Sequence, residues 1–199
     1  MNKYDEVTQS MKKVTIEVVG IIFAVLVALA ADEWVEEHNK NERKEMLLVN
    51  IRKEISDNSI ELKRSLDDIK TQIEESRLIL QQNKDNTYIE INDAVVDVWN
   101  ISLPALRDTS WQSLTLQSEI FTLIDLNEIE QLSSIYSLQK SLTDTGRQLI
   151  MNFGESSADL SIKEQSKRAF SKHLYNLSTV QQLEVNLNSL LDEYLSNSK

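Results

Sequence analysis

The sequence predicts an all-α protein, and three observations carry that prediction. Only three glycines and one proline occur in 199 residues, too few turn formers for a multi-stranded sheet. Apolar residues recur in steps of three and four rather than two, the period of one helix face. From Val14 through Lys84 the chain has no proline and a single glycine, Gly20, so one helix can run through the whole stretch. The expected architecture is an N-terminal transmembrane helix continuous with a long helix of an antiparallel bundle of about four helices. Residues 1–13 are the N-terminal flank, 14–31 the membrane span and 32–199 the soluble bundle domain.

The span comes first. Val18 to Ala31 (VVGIIFAVLVALAA) is an uncharged run of 14 residues, short for a membrane helix. Extended back to Val14 it reaches 18 residues, broken only by Glu17. At about 1.5 Å per residue that is roughly 27 Å, close to a hydrocarbon core of about 30 Å. A rival reading exists, because Ala28-Leu29-Ala30 has the A-x-A form of a signal-peptide cleavage site and Lys12 and Lys13 lie upstream. The product would be a secreted helical ligand-binding domain. Against it stand an acidic residue at the start of the run, a long leader of mixed charge, and the lack of any helix breaker after it.

Glu17, Gly20, Ala24, Ala28 and Ala31 recur at helical spacing and put one carboxylate and four small residues on a single face. Small residues so placed let helix backbones approach closely in lipid, which makes this face the candidate membrane-helix interface. The bland alternative is that the alanines face lipid and Glu17 reaches the headgroups. A third reading, an oligomeric ion-conducting protein centred on Glu17, follows from the usual role of intramembrane carboxylates. Lys12 and Lys13 abut the run, whereas Lys40, Arg43 and Lys44 lie behind four acidic residues. The positive-inside bias therefore puts the N-terminus in the cytoplasm and the bundle outside it. Trp34 becomes the anchor at the outer interface.

The soluble part of the first helix carries Leu48, Ile51, Ile55, Leu62, Leu66, Ile69, Ile73 and Leu80, with polar gaps at Asn58, Ser59 and Ser76. This is a bundle stripe, and its gaps argue against a long dry zipper. It should end in the polar QQNKDN stretch, Gln81 to Asn86. Ile91, Val95 and Val98 then suggest a short amphipathic helix, and Pro104 a boundary. Thr109 or Ser110 can cap a helix opening at Trp111. A further helix starts at Asp125, with Glu128 three residues on as in a capping box, and uses Ile129, Leu132, Tyr136, Leu142, Leu149 and Phe153 as its inner face. The segment around Gly154, Ser156 and Ser157 is the expected next connection. The last helix shows Phe170, Leu174, Leu177, Val180, Leu183, Leu187, Leu190 and Tyr194.

Several chemistries find no support. Without cysteine there are no disulfides, thiolate metal sites or cysteine nucleophiles. The net charge is −11, and residues 85–130 hold nine acidic side chains against one basic, a surface that repels nucleic acid. The row Glu90, Asp93 and Asp97 reads as a solvated face, since no calcium-loop pattern accompanies it. His38 and His173 belong to no metal motif, and no G-x-S-x-G or phosphate-binding glycine loop occurs. Arg107, Asp108 and Trp111 could line a pocket at a helix start, although core packing of the indole explains them more simply. No enzymatic activity, cofactor or metal is expected.

Glu17 to Glu37 resembles an uncharacterised bacterial family of small single-pass membrane proteins, known only as a domain of unknown function. In that family an acidic residue opens a short apolar helix closing with Ala-Leu, with a tryptophan and charged residues beyond. Glu17, Ala28, Leu29, Trp34, Glu36 and Glu37 match those positions, and Trp111, Leu123, Ile124 and Tyr136 resemble a second patch. Asp32 and Glu33 stand where asparagines are usual, and a glycine usual in the second patch is replaced near Glu119. The resemblance covers about the first quarter of the chain and implies an uncleaved anchor in a bacterial protein and no established activity; the lysines flanking the span then place it in the inner membrane with the bundle in the periplasm. The expected function is then a non-enzymatic scaffold, sensor or adaptor subunit acting through self-association or a protein partner.

Overall fold

The computed structural model describes residues 3–85, 103–160 and 163–197, with side-chain surroundings for all of these except 3–16, 18, 150–160 and 163–166. Every regular element among them is helical: α1 (Lys3–Gln82), α2 (Thr109–Thr115), α3 (Ser118–Phe121), α4 (Leu126–Leu160) and α5 (Lys163–Asn197). With 80 residues, α1 is about 120 Å long.

The buried stripe of α1 begins only at Leu48. It continues through Ile51, Ile55, Leu62, Ile69 and Ile73, and meets Leu132, Ile135 and Leu142 of α4 and Leu177, Val180, Leu187 and Leu191 of α5. Polar contacts give the directions. Arg52, Glu54 and Asn58 of α1 reach Glu128, Tyr136 and Gln139 of α4 in the same order, so these two helices run parallel. Ser59 and Ser65 of α1 reach Asp192 and Glu184 of α5, so α5 runs antiparallel to α1. The far end of α1 is closed by α5 as well, where the Lys167 ammonium donates to the Asn83 and Lys84 carbonyls at 3.0 and 2.8 Å. A cation there satisfies carbonyls that the helix leaves open.

Among the described residues three long helices pack together, with α1 and α4 parallel rather than antiparallel as expected. The helix expected around Ile91 to Val98 lies outside the described residues. A parallel pair becomes possible because Leu103 lies against Gly146 of α4, Arg107 meets Asn58 of α1, and α2 and α3 run back along α1 from Glu54 to Lys40. Three local expectations also change. The connection expected at Gly154, Ser156 and Ser157 is absent from the backbone, since α4 continues to Leu160; a single glycine costs a helix about 1 kcal/mol, too little to end one this long. The helix expected to open at Trp111 starts at Thr109, after Asp108, with no side-chain cap of its own. At the start of α4, Asp125 does cap, its Oδ1 accepting the Asn127 N–H at 2.8 Å, but Glu128 turns to Arg52 and Tyr194 instead of back toward Asp125.

The expected span at 14–31 is not found either. Among the described residues no helix is long and apolar enough to cross a membrane. Val14 to Thr15, Ile16 and Val18 fall outside the described side chains, and the apolar run from Val19 to Ala31 covers only about 20 Å before Asp32 and Glu33.

Candidate functional site

Glu17, Gly20, Ala24, Ala28 and Ala31 lie on unbroken helix, so at 3.6 residues per turn they occupy an arc of about 80°. All five are exposed, and a Cβ placed at Gly20 would meet nothing within 4 Å. Their neighbours around the rest of the circumference, Ile21, Ile22, Phe23, Val25, Leu26, Val27 and Leu29, are exposed too. No part of the described chain covers any side of this segment. Trp34 follows it, 67% exposed, with its ring stacked on His38 at 5.7 Å.

Just beyond, α1 and the α2–α3 corner enclose an open cleft of about 430 Å³ lined by Glu36, Lys40, Arg43, Leu116 and Glu119 among others. Lys40 sits between two carboxylates, Glu36 at 2.6 Å and Glu119 at 3.6 Å. Hydrogen bonding to Glu36 raises the lysine pKa and lowers that of Glu36 in return. Both partners reach solvent, so the pair contributes little to stability. The lining carries two acids and two bases, and nothing in it converges on a small polar ligand.

A second polar constellation is buried deeper, where α1 holds residues 103–110, the strap that leads into α2. Glu54 is buried and uses both oxygens: Oε1 accepts the Tyr136 hydroxyl at 2.8 Å and Oε2 accepts the Ser110 N–H at 2.9 Å. The second bond caps α2 from another helix. It explains the idle Asp108, whose carboxylate takes the Gln112 side chain instead. One turn along, the Asn58 amide pairs with the backbone of Arg107 in both directions, accepting its N–H at 2.9 Å and donating to its carbonyl at 2.7 Å. Gln139 of α4 donates to the same carbonyl at 2.9 Å. Trp111 stacks on Tyr136, 5.3 Å between centroids and 7° between planes. Burial, reinforced by the hydrogen bond to Glu54, pushes the Tyr136 hydroxyl pKa far above its ordinary value, so it remains a donor at any working pH.

Sequence reasoning placed Trp111 in the packing and Arg107 and Asp108 outside it, and the structure agrees. It missed Glu54, Gln139 and Glu184, all buried. The only signal was the polar gap at Asn58 and Ser59, which marks where the leucine stripe gives way to hydrogen bonding. His38 and His173 stay apart: the first is exposed and lies 3.8 Å from Glu42, the second is buried beside Phe170. Glu90, Asp93 and Asp97 lie outside the described residues. Among the described residues no group of three metal-ligating side chains converges.

Compared with family models, curated proteins and solved structures, the chain matches none. Its function is therefore argued from its own residues.

Proposed function

We propose that this chain is a membrane-anchored helical scaffold, sensor or adaptor subunit, without enzymatic activity, that acts through self-association or a protein partner. One observation carries the reading: from Val19 to Val35 the large apolar side chains of α1 are exposed on every side of the helix. A protein groove covers one face of a helix, whereas lipid covers the whole circumference, so all-round exposure favours a bilayer. Counted from Val14 the apolar stretch is long enough for a span if Glu17 reaches the headgroups or a partner helix. The helix continues through Ala28-Leu29-Ala30 without a break, which favours an anchor over a cleaved leader.

In this reading the face bearing Glu17, Gly20, Ala24, Ala28 and Ala31 is the membrane-helix interface, and Trp34 rests at the outer surface. The N-terminus is cytoplasmic and the bundle lies beyond the bacterial inner membrane. The test is extraction of the full-length protein from membranes at alkaline pH, with its intact mass. Retention in the membrane pellet at full mass is expected, together with silence of a C-terminal reporter that works only in the cytoplasm. Release at alkaline pH, or a mass lacking the first 30 or so residues, would overturn the anchor.

A further inference from the structure

The seam between α1 and α5 buries polar side chains at several levels, among them Ser59, Ser65, Ser76, His173 and Glu184, and of these one is a carboxylate. Glu184 of α5 is 0% exposed. Its Oε1 accepts the Ser65 hydroxyl of α1 at 2.7 Å, while its Oε2 is buried with no hydrogen-bond partner among the described residues. One helical turn along α5, Asn188 donates its Nδ2 to Asp192 at 3.1 Å. That leaves Asn188 Oδ1 turned away, likewise buried and without a donor. Two acceptors four residues apart are neighbours on a helix surface, and each lacks a hydrogen. No ion pair joins Glu184 to a lysine or arginine among the described residues; Lys63 of α1, which reaches α5, is held by Asp192 at 2.9 Å.

We propose that the Glu184 carboxyl is a proton-binding site built into the α1–α5 seam, which shares its proton with the Asn188 amide oxygen and loosens the seam when that proton leaves. A single proton satisfies both orphaned oxygens, since the protonated carboxyl becomes a donor that Asn188 Oδ1 can accept. Without it, a carboxylate charge is buried with one hydrogen bond and no counter-ion, which is costly in a low-dielectric seam. The surrounding groups agree. Burial is the largest influence and Asp68 of α1 adds to it; against the pull of the Ser65 hydroxyl they raise the Glu184 pKa from 4.5 to about 7. Among the described side chains of α4 the buried titratable one is Tyr136, already committed to Glu54, and the other buried positions are Leu132, Ile135, Gln139, Leu142 and Gly146.

The direction of the effect follows from linkage. The folded state holds a proton that the unfolded chain releases near pH 4.5, so stability is greatest below that value and falls as pH rises to about 7. This is opposite to the usual carboxylate behaviour. It makes α1, the helix that carries the proposed anchor, sensitive to the pH around the bundle.

The experiment is thermal unfolding of the full-length chain in mild detergent at about pH 5.5 and about pH 8.5, with Glu184→Gln and Asn188→Ala. The parent should melt about 5 °C lower at the higher pH. Glu184→Gln, whose amide can donate to Asn188 and accept from Ser65, should melt at the same temperature at both, and Asn188→Ala should shrink the difference. In parallel, the infrared band of a protonated carboxyl should disappear from the parent as pH passes neutrality, and be absent in Glu184→Gln. Equal melting temperatures in the parent, or an undiminished difference in Glu184→Gln, would overturn the proposal. The parent's infrared titration needs no variant to fold, and a spectrum with no carboxyl band titrating near neutrality would overturn it as well.

Discussion

The Tyr136 hydroxyl of α4 donates to Glu54 of α1 across 2.8 Å, and the same carboxylate takes the Ser110 N–H with its second oxygen. One side chain thus joins a long helix, its parallel neighbour and the first turn of α2. Truncating the donor leaves a buried acceptor oxygen unsatisfied, the more expensive half of hydrogen-bond energetics. Tyr136→Phe is expected to cost about 2 kcal/mol in urea unfolding. Tyr175→Phe, at an exposed position of α5, should change stability by less than about 0.5 kcal/mol. Equal effects of the two would show that the Glu54 bond is not what stabilises the strap.

Asn58 replaces a strand partner for the Arg107 peptide, matching its N–H and carbonyl together. Asn58→Ala should cost about 2–3 kcal/mol, because the peptide and Gln139 both lose partners inside a half-buried site. Amide hydrogen exchange separates this from a general loss of stability. The Arg107 amide should lose protection disproportionately, relative to amides in the middle of α5. Uniform loss across the chain would contradict a local clamp.

Gly146 is buried where the strap enters, and a Cβ there would overlap both terminal methyls of Leu103. The φ of Gly146 is not positive, so its role is room rather than backbone freedom. Gly146→Ala gains about 1 kcal/mol of helix propensity but overpacks the contact by about 1–3 kcal/mol, for a net loss on the order of 1 kcal/mol. Paired with Leu103→Ala, the same change should turn stabilising. Additivity of the two substitutions would mean that the side chains do not meet.

In the membrane-proximal part of α1, Gly20, Ala24 and Ala28 share a face with Glu17. A bulky side chain in that stripe should block close helix approach. Ala24→Leu is expected to lower crosslinking yield in membranes, while Val25→Leu leaves it near the parent value and neither alters helicity. Identical yields from all three proteins would make the alanines ordinary lipid-facing residues.

The all-helical fold was legible from composition and period alone, because few turn formers and three- and four-residue steps leave no alternative secondary structure. The stripes of α1 and α5 were legible for the same reason: Ile51, Ile55, Leu62, Leu177 and Leu187, spaced for one face, are all fully buried. Helix starts were partly legible, since the Asp125 cap is a local bond between neighbouring residues. The end of α4 was not. Gly154 with two serines looks like a break, yet backbone hydrogen bonding carries the helix past it.

What only the tertiary structure decided is which polar residues are buried and which helix each one serves. Glu54, Gln139 and Glu184 look like solvated positions in a helical sequence, and Asn58 shows only as a gap in a stripe, because periodicity records hydrophobicity and is silent about partners 49 to 119 residues away. The α2 cap shows the same limit: Thr109 or Ser110 was expected to cap a helix opening at Trp111, whereas both lie inside the helix and its first-turn Ser110 N–H is answered by Glu54 of another helix. The parallel course of α1 and α4 was hidden for a related reason. It depends on where the chain re-enters beside Asn58, and that is set by long-range packing and hydrogen bonds, to which local sequence contributes nothing.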